Sequence, residues 1–260
     1  MKKALSLLTL CLLSAGAFAD NYIVGKLAPE KQVEVRSEVS GIVDSYQVDS
    51  GDAIKQGAPL LSISQQDYTL EADLAKYDLA VKKAERDMQE KQLIRYQSLF
   101  KKHGISEGDY ENQLRLTHIS RAEQQRSQTQ YAIAQRTLTK AMPNAPFDGV
   151  VALRAVEVGQ FISVGDALYT LADIHTLKVR FHVLESDFDP FHKGDTVQVT
   201  IPADAQTVTG TVSLFSPVMA DNDPGFLVEV TIDNAQRQWL PGMEAYVHVN
   251  EHTPTAEAGQ

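Results

Sequence analysis

Two stretches of this chain repeat one another. Gly41-Ile42-Val43, Gly51, Gly57, Leu60 and Ile63 recur as Gly149-Val150-Val151, Gly159, Gly165, Leu168 and Leu171, each 108 residues later. Self-similarity at a fixed offset names a structural unit before any single element is assigned. Both copies have the composition of short β-strands: β-branched residues run through 41–48 and 150–158, and glycines mark the turns. Gly51-Asp52 and Gly165-Asp166 suit tight turns in which a positive φ is required. The repeat therefore predicts a β unit made in two pieces, with residues 65–144 inserted between them.

The insertion is of another kind. From Gln65 to Phe100 there is no glycine or proline, and Leu70, Leu74, Tyr77, Val81, Ala84 and Met88 recur at alternating spacings of four and three. That pattern predicts a long helix with the apolar seam of a coiled coil. Lys101-Lys102-His103-Gly104 ends it, with basic residues in the last turn and a glycine behind them. A second helix starts at Ser106, where Asp109 three residues on makes a variant capping box, and runs to about Lys140. Pro143 and Pro146 forbid its continuation. Its seam is poorer: Leu114, Ile119, Ala122, Ile133 and Leu138 are interrupted by a Ser/Gln-rich middle from Glu123 to Gln130. Two helices joined by a few residues form an antiparallel hairpin. About 33 residues at 1.5 Å each reach about 50 Å. No compact domain of this size needs such an arm for its own core, so the arm is read as one that reaches a partner.

After Asp173 the pattern returns to β. Leu177, Val179, Phe181 and Val183 share one face of a strand, with Lys178, Arg180 and His182 on the other. Strands are also predicted over Val197–Ile201, Thr207–Phe215, Phe226–Ile232 and Ala245–Val249, between turns at Gly194, Pro202, Gly210, Pro224-Gly225 and Pro241-Gly242. Short strands at this spacing predict a small antiparallel barrel.

The N-terminus bears on compartment. Lys2 and Lys3 precede an apolar run from Ala4 to Leu13 that ends in Ala17-Phe18-Ala19. A positive start, a short apolar run and an A-x-A site read as a secretory signal cleaved between Ala19 and Asp20. The run is too short for a spanning helix, which needs about 20 residues. Cys11, inside the apolar run, lacks the small residues that precede a lipidated cysteine. It is the only cysteine and leaves with the signal, so the mature chain is expected to have no disulfide and no thiol chemistry. Loss of Lys2 and Lys3 takes 24 basic residues to 22 against 34 acidic ones, a balance of −12 that argues against nucleic acid as a partner. No later segment has the length and apolarity of a membrane span.

Catalytic, cofactor-binding and metal residues are expected to be absent. The chain carries no G-x-S-x-G, H-E-x-x-H, G-x-G-x-x-G or P-loop. His182 and His192, near Glu185, Asp187 and Asp189, are the one conceivable weak metal cluster, and a solvated strand face and loop account for them better. Met142, Met219 and Met243 are too dispersed for a copper or silver relay.

A β half, a coiled-coil arm, the matching half and a small barrel make a layout that resembles the membrane fusion proteins, the periplasmic adaptors of resistance-nodulation-division (RND) efflux pumps. Ser37-Glu38-Val39-Ser40-Gly41-Ile42-Val43 and Ala145-Pro146-Phe147-Asp148-Gly149-Val150-Val151 resemble the starts of the family's two lipoyl-like halves. Leu240-Pro241-Gly242-Met243 resembles its L-x-P-G-M turn, although Pro241 follows Leu240 directly. Glu185-Ser186-Asp187 resembles its segment after the first barrel strand. Arg95, Leu99 and Ser106 have the spacing that family members carry at the hairpin tip where they dock onto a TolC-type outer-membrane channel. A guanidinium fork, an apolar knob and a hydroxyl fit such an interface, while Ser106 can also act as a plain N-cap and Leu99 as the end of a seam.

The resemblance implies an elongated multidomain α+β chain. Its parts are a signal peptide (1–19), an N-terminal strand segment (20–36), a lipoyl-like domain in two halves (37–64 and 145–173), an α-helical hairpin (65–144), a β-barrel (174–250) and a disordered tail (251–260). It implies a periplasmic connector with no cofactor and no enzymatic activity. The expected partners are an inner-membrane RND transporter, a TolC-type channel and further copies of the chain in a ring or funnel. The family's membrane-proximal domain has no counterpart in the eleven residues after Val249, which implies a short form. Two other readings remain. An ABC-type exporter could take the transporter's place. A lipoyl or biotinyl carrier would need its lysine in the turn between the halves, where this chain has its helical arm.

Overall fold

The computed structural model describes residues 22–185, 191–219 and 223–248. The expected signal peptide, Cys11, Ser186-Asp187, Asp189 and the tail lie outside them. In chain order the elements are β1 (Tyr22–Arg36), β2 (Gly41–Tyr46), β3 (Ala53–Ile54), β4 (Leu61–Ile63), α1 (Gln66–Lys101) and α2 (Glu107–Lys140). Then come β5 (Gly149–Arg154), β6 (Phe161–Ile162), β7 (Ala167–Val183), β8 (Thr196–Ile201), β9 (Gln206–Phe215), β10 (Phe226–Asp233) and β11 (Glu244–His248). They fall into two compact units, one of residues Glu30–Ile174 and one of the residues before and after it.

In the first unit the repeat becomes reciprocal hydrogen bonding. The Val43 amide donates to the Gln160 carbonyl at 2.9 Å, and 108 residues on, the Val151 amide donates to the Asp52 carbonyl at 2.9 Å. Gly159 donates to Val43 and Gly51 to Val151, both at 2.8 Å. Gly57 donates to Ala145 at 2.9 Å and Gly165 to Ser37 at 2.8 Å. Strand pairing follows the same rule: Ile42 lies opposite Phe161, and Val150 opposite Ala53. Each half therefore completes the ladder of the other, and neither half has its backbone satisfied alone. Gly51 and Gly165 have a positive φ of 93° and 95°, the conformation their turns were expected to need.

The core obeys the repeat as well. Val43 and Val151, Ile54 and Ile162, Leu60 and Leu168, and Ile63 and Leu171 are all buried. Tyr169 is fully enclosed among them, and its hydroxyl donates toward the Val48 carbonyl at 3.0 Å and the Leu60 carbonyl at 3.2 Å. Burial pushes its pKa up to about 12. One side chain ties the halves at the surface. Arg154 donates from Nε to Asp49 Oδ1 at 2.9 Å, pairs with Glu157 Oε2 at 2.9 Å and lies 4.3 Å over the Tyr46 ring.

The hairpin departs from the expected seam. Leu70, Leu74, Tyr77, Val81 and Met88 are all exposed, Leu74 at 71% and Tyr77 at 64%. The residues of α2 that are buried are Gln113, Thr117, Ser120, Ser127 and Ala134, which a spacing of four, three, seven and seven puts on one heptad line. Opposite them, α1 presents Ala72, Lys82, Arg86 and Gln89, again on one heptad line. Gln113 Nε2 donates to Gln89 Oε1 at 2.8 Å, Ser127 Oγ to Asp78 Oδ2 at 2.7 Å and Lys82 Nζ to Glu123 Oε2 at 3.5 Å. Small and polar residues thus fill most of the interface between the helices, with Leu79 and Leu93 half-buried on the same line. The apolar stripe that looked like the seam faces away from it.

The second unit is a closed barrel. Its strand order is β1-β11-β8-β9-β10-β7, and β7 pairs with β1 to complete the ring of six. Tyr22–Lys26 of β1 pair antiparallel with Glu244–His248 of β11, so the start of the segment set apart as N-terminal is a barrel stave, while residues 30–36 belong to the first unit. Gly25 sits where β1 and β7 approach: a Cβ there would stand 2.7 Å from Val179 Cγ1 and 3.0 Å from the Arg180 carbonyl oxygen. Leu177, Val179, Phe181 and Val183 point inward as their alternation predicted. In the Leu240-Pro241-Gly242-Met243 turn, Gly242 has φ 96° and donates to the Leu27 carbonyl at 2.7 Å. The turn thereby fastens β11 to β1.

Candidate docking site on the helical hairpin

The tip is built by two capping motifs back to back. At the end of α1, Gly104 N–H donates to Leu99 O and His103 N–H to Phe100 O, both at 2.9 Å. These are the two bonds of a Schellman motif. The left-handed residue in it is His103, with φ 55°, and not the glycine that follows. At the start of α2, Ser106 Oγ accepts from the Asp109 N–H at 3.2 Å while Asp109 Oδ2 accepts from the Ser106 N–H at 3.3 Å, a reciprocal capping box. Phe100 and Tyr110 stack across the turn with ring centres 5.1 Å apart and planes 6° from parallel. A turn closed in this way holds its side chains in fixed positions.

On that frame Arg95 and Leu99 lie one helical turn apart on a single face of α1. Both are exposed, and Arg95 is steadied by Nη2 donating to Gln92 Oε1 at 2.5 Å. Ser106 lies across the turn at the N-cap. Its hydroxyl also donates to Asp109 Oδ2 at 2.6 Å, which leaves one acceptor lone pair for a partner. Arg95 further continues the exposed apolar stripe, since steps of three and four from Met88 pass Lys91 and reach it. One surface of α1 is therefore apolar from Leu70 to Met88 and basic toward the tip.

Sequence reasoning missed three parts of this region. Asp109 was read as a cap, but its hold on the Ser106 hydroxyl was not foreseen. Gln92 as the Arg95 support and the Phe100–Tyr110 stack were not foreseen either, although aromatic residues flanking a short turn are the available signal. Beside the tip runs a groove of about 440 Å³ between the helices, lined by Gln92, Tyr96, Asp109 and Asn112 among others. Its amides offer donors and acceptors to polypeptide backbone.

The barrel histidines do not converge. His182 Nε2 lies 3.6 Å from Asp223 Oδ2, and His192 Nδ1 lies 3.6 Å from Asp195 Oδ2. Among the described residues no group of three His, Cys, Asp or Glu side chains is placed to hold a metal ion. No helix among the described residues is long and apolar enough to cross a membrane.

A barrel-sandwich β domain split by an antiparallel helical hairpin, with a separate six-stranded barrel, defines the architecture of membrane fusion proteins. The sequence profile described as "RND MFP, barrel-sandwich hybrid domain" matches residues 31–173, and the chain belongs to that family. It is 30% identical over 166 residues to the multidrug resistance protein MdtA of Pantoea ananatis, covering 63% of this chain and 40% of that protein. It is 26% identical over 222 residues to the nodulation protein NolF of Rhizobium meliloti, covering 85% and 60%. The chain thus spans about two to three fifths of the curated relatives it matches first. Among solved structures it is similar to a MacA–MexA chimera carrying the Pseudomonas aeruginosa MexA α-hairpin, with a TM-score of 0.69, 20% identity and coverage of 88% and 79%. It is similar also to the membrane fusion protein Spr0693 of Streptococcus pneumoniae, with a TM-score of 0.70, 16% identity and coverage of 88% and 98%. At these identities the two likenesses establish the fold.

Proposed function

We propose that this chain is a periplasmic adaptor that links an inner-membrane RND transporter to a TolC-type outer-membrane channel in an efflux assembly. It acts as a connector and not as an enzyme. The observation that carries the reading is the hairpin surface: a heptad stripe of large apolar residues is exposed on a helix whose own hairpin interface is already filled. A helix partner is what such a stripe fits. Family membership and the name multidrug resistance protein on one relative support efflux as the process. The RND designation of the matching family supports a proton-driven transporter over an ABC-type exporter.

In this reading several copies pack hairpin against hairpin, the stripe of α1 meeting Leu116, Ile119 and Ile133 on the exposed side of a neighbour's α2. Arg95, Leu99 and Ser106 then engage the channel. A partner opens a channel only by binding its open state more tightly than its closed one, and the rigid tip serves that differential. Signal-directed export to the periplasm belongs to the same proposal. Arg95→Glu and Leu99→Asp are expected to abolish both drug resistance in cells and capture of the channel by a photo-crosslinker at position 103, with circular dichroism unchanged. Survival of capture and resistance in both variants refutes the tip assignment.

A further inference from the structure

At the root of the hairpin, the last turn of α2, the chain after it and the end of β1 surround a cavity of about 500 Å³. Small-molecule sites occupy roughly 300–1,000 Å³. Arg36, Arg136 and Lys140 bring three cations to its wall, and Val35, Met142 and Pro143 give it an apolar side. Glu38, itself in the wall, and Glu34 beside it position two of the cations without exhausting them. Glu38 Oε2 lies 2.7 Å from Lys140 Nζ, and Glu34 Oε1 lies 2.9 Å from Arg36 Nη2, while Arg36 Nη1 donates to the Gly165 carbonyl at 2.8 Å. Lys140 keeps two N–H groups and Arg36 its Nε–H. Arg136 makes no ion pair among the described residues.

Basic residues at a helix C-terminus often serve only to offset its carbonyls. Here those carbonyls have other donors. Ala141 N–H bonds to Leu138 O at 3.1 Å, Met142 N–H to Thr139 O at 3.1 Å and Ile63 N–H to Ala141 O at 2.9 Å. The chain as a whole carries a formal charge of −10, so a cavity with surplus cations runs against its composition.

We propose that this cavity binds a small organic anion, its carboxylate, sulfonate or phosphate head held by Arg136 and Lys140 and its apolar body against Met142 and Pro143. The inference goes beyond the connector reading, because it makes the adaptor itself a contact for an anionic compound. The same chemistry is presented by a free organic anion and by an anionic lipid headgroup. Titration calorimetry of the mature chain with naphthalene-2-sulfonate, and co-sedimentation with phosphatidylglycerol or phosphatidylcholine vesicles, separate the two sources.

Saturable one-to-one binding of the sulfonate, or sedimentation that depends on phosphatidylglycerol, is expected. Arg136→Gln should weaken either by about tenfold, the usual scale for one charge-assisted hydrogen bond. Uncharged 2-naphthol should not bind. Because an aromatic probe could settle on the exposed α1 stripe, Tyr77→Ser is measured in parallel and should leave the affinity unchanged. Arg95→Glu should also leave it unchanged, so failure of the docking reading and failure of this one are told apart. Absence of both binding modes overturns the proposal. So does affinity that survives Arg136→Gln, equal binding of 2-naphthol, or loss on Tyr77→Ser.

Discussion

The unit of residues 30–174 contains two interiors of opposite composition. In the lipoyl-like part, repeat-related pairs such as Leu60 and Leu168 are buried at 0% exposure, and the Tyr169 hydroxyl enclosed with them is hydrogen-bonded to backbone. Between the helices, the buried positions are glutamine, threonine, serine and alanine, and large apolar residues such as Leu74, Tyr77 and Val81 stand outside. Apolar burial is what stabilises a domain by itself. A hairpin whose interior is hydrogen-bonded and whose exterior is apolar has its strongest association surface still uncovered. The lipoyl-like part is finished as a monomer, and in the proposed reading the arm is finished by a partner.

Truncating the same residue type in the two places is the sharpest way to break that comparison. Leu168→Ala removes buried volume from the core and should cost about 2–5 kcal/mol by urea denaturation. Leu74→Ala should change the monomer's stability by no more than about 0.5 kcal/mol. The second variant should instead weaken concentration-dependent self-association in sedimentation velocity. Equal destabilisation by the two would mean that the stripe is covered within the monomer, and the comparison would fall.

A smaller effect tests the hairpin interior directly. Arg86 lies on the inner heptad line between Lys82 and Gln89, and its Nε is buried without a hydrogen-bond partner. An orphaned donor on a seam is a destabilising feature, and apolar replacement of buried charge is often stabilising. Arg86→Leu forfeits pairs to Asp87 at 3.0 Å and Glu90 at 3.6 Å, which partly exposed ion pairs make inexpensive to lose. The variant should gain about 1 kcal/mol. A loss of that size would show that the polar seam sets the helices' register, as single polar residues do in other coiled coils.

These two regions also differ in how far they could be read from the sequence. The β halves were legible because their turns need glycine and their cores need apolar residues at fixed places, and both demands appear as residue types repeated at one offset. The hairpin was legible as helices, down to the Ser106–Asp109 cap, because breakers and caps are local. Its seam was not. Two heptad lines run along α1, and the more apolar one was assigned to the interior, whereas side-chain hydrogen bonds such as Gln89–Gln113 leave no periodic apolar signal. The same limit hid β1 from the barrel, since its partner β11 lies more than 200 residues away. The end of α1 was legible from its glycine, but not that His103 is the left-handed residue, with its N–H and that of Gly104 bonding to the Phe100 and Leu99 carbonyls. The tip residues were named through their resemblance to the family's tip motif, and the structure places Arg95 and Leu99 exposed beside a capped turn.

The smallest effect concerns what joins the two halves of the β domain, since a domain finished as a monomer should hold its halves together without help. Arg154 reaches from the second half to Asp49 in the first, and the Asp49 carboxylate also accepts from the Ser50 N–H at 2.7 Å. The hydrogen bond from Arg154, then that from Ser50, hold the Asp49 pKa below the usual carboxylate value. A carboxylate depressed in the folded state adds stability that is complete above its unfolded pKa of about 3.9. That stability is lost as pH falls through the folded value. Other carboxylates titrate in the same range, so the difference between wild type and Asp49→Asn isolates this one. The difference in melting temperature should be constant from pH 8 to about 5, narrow below about 4 and close at lower pH. It should be small, because Asp49 is half exposed and such pairs are screened. A gap that persists unchanged to pH 2.5 would mean that the charge of Asp49, and with it the ion pair to Arg154, adds nothing to the joining of the halves.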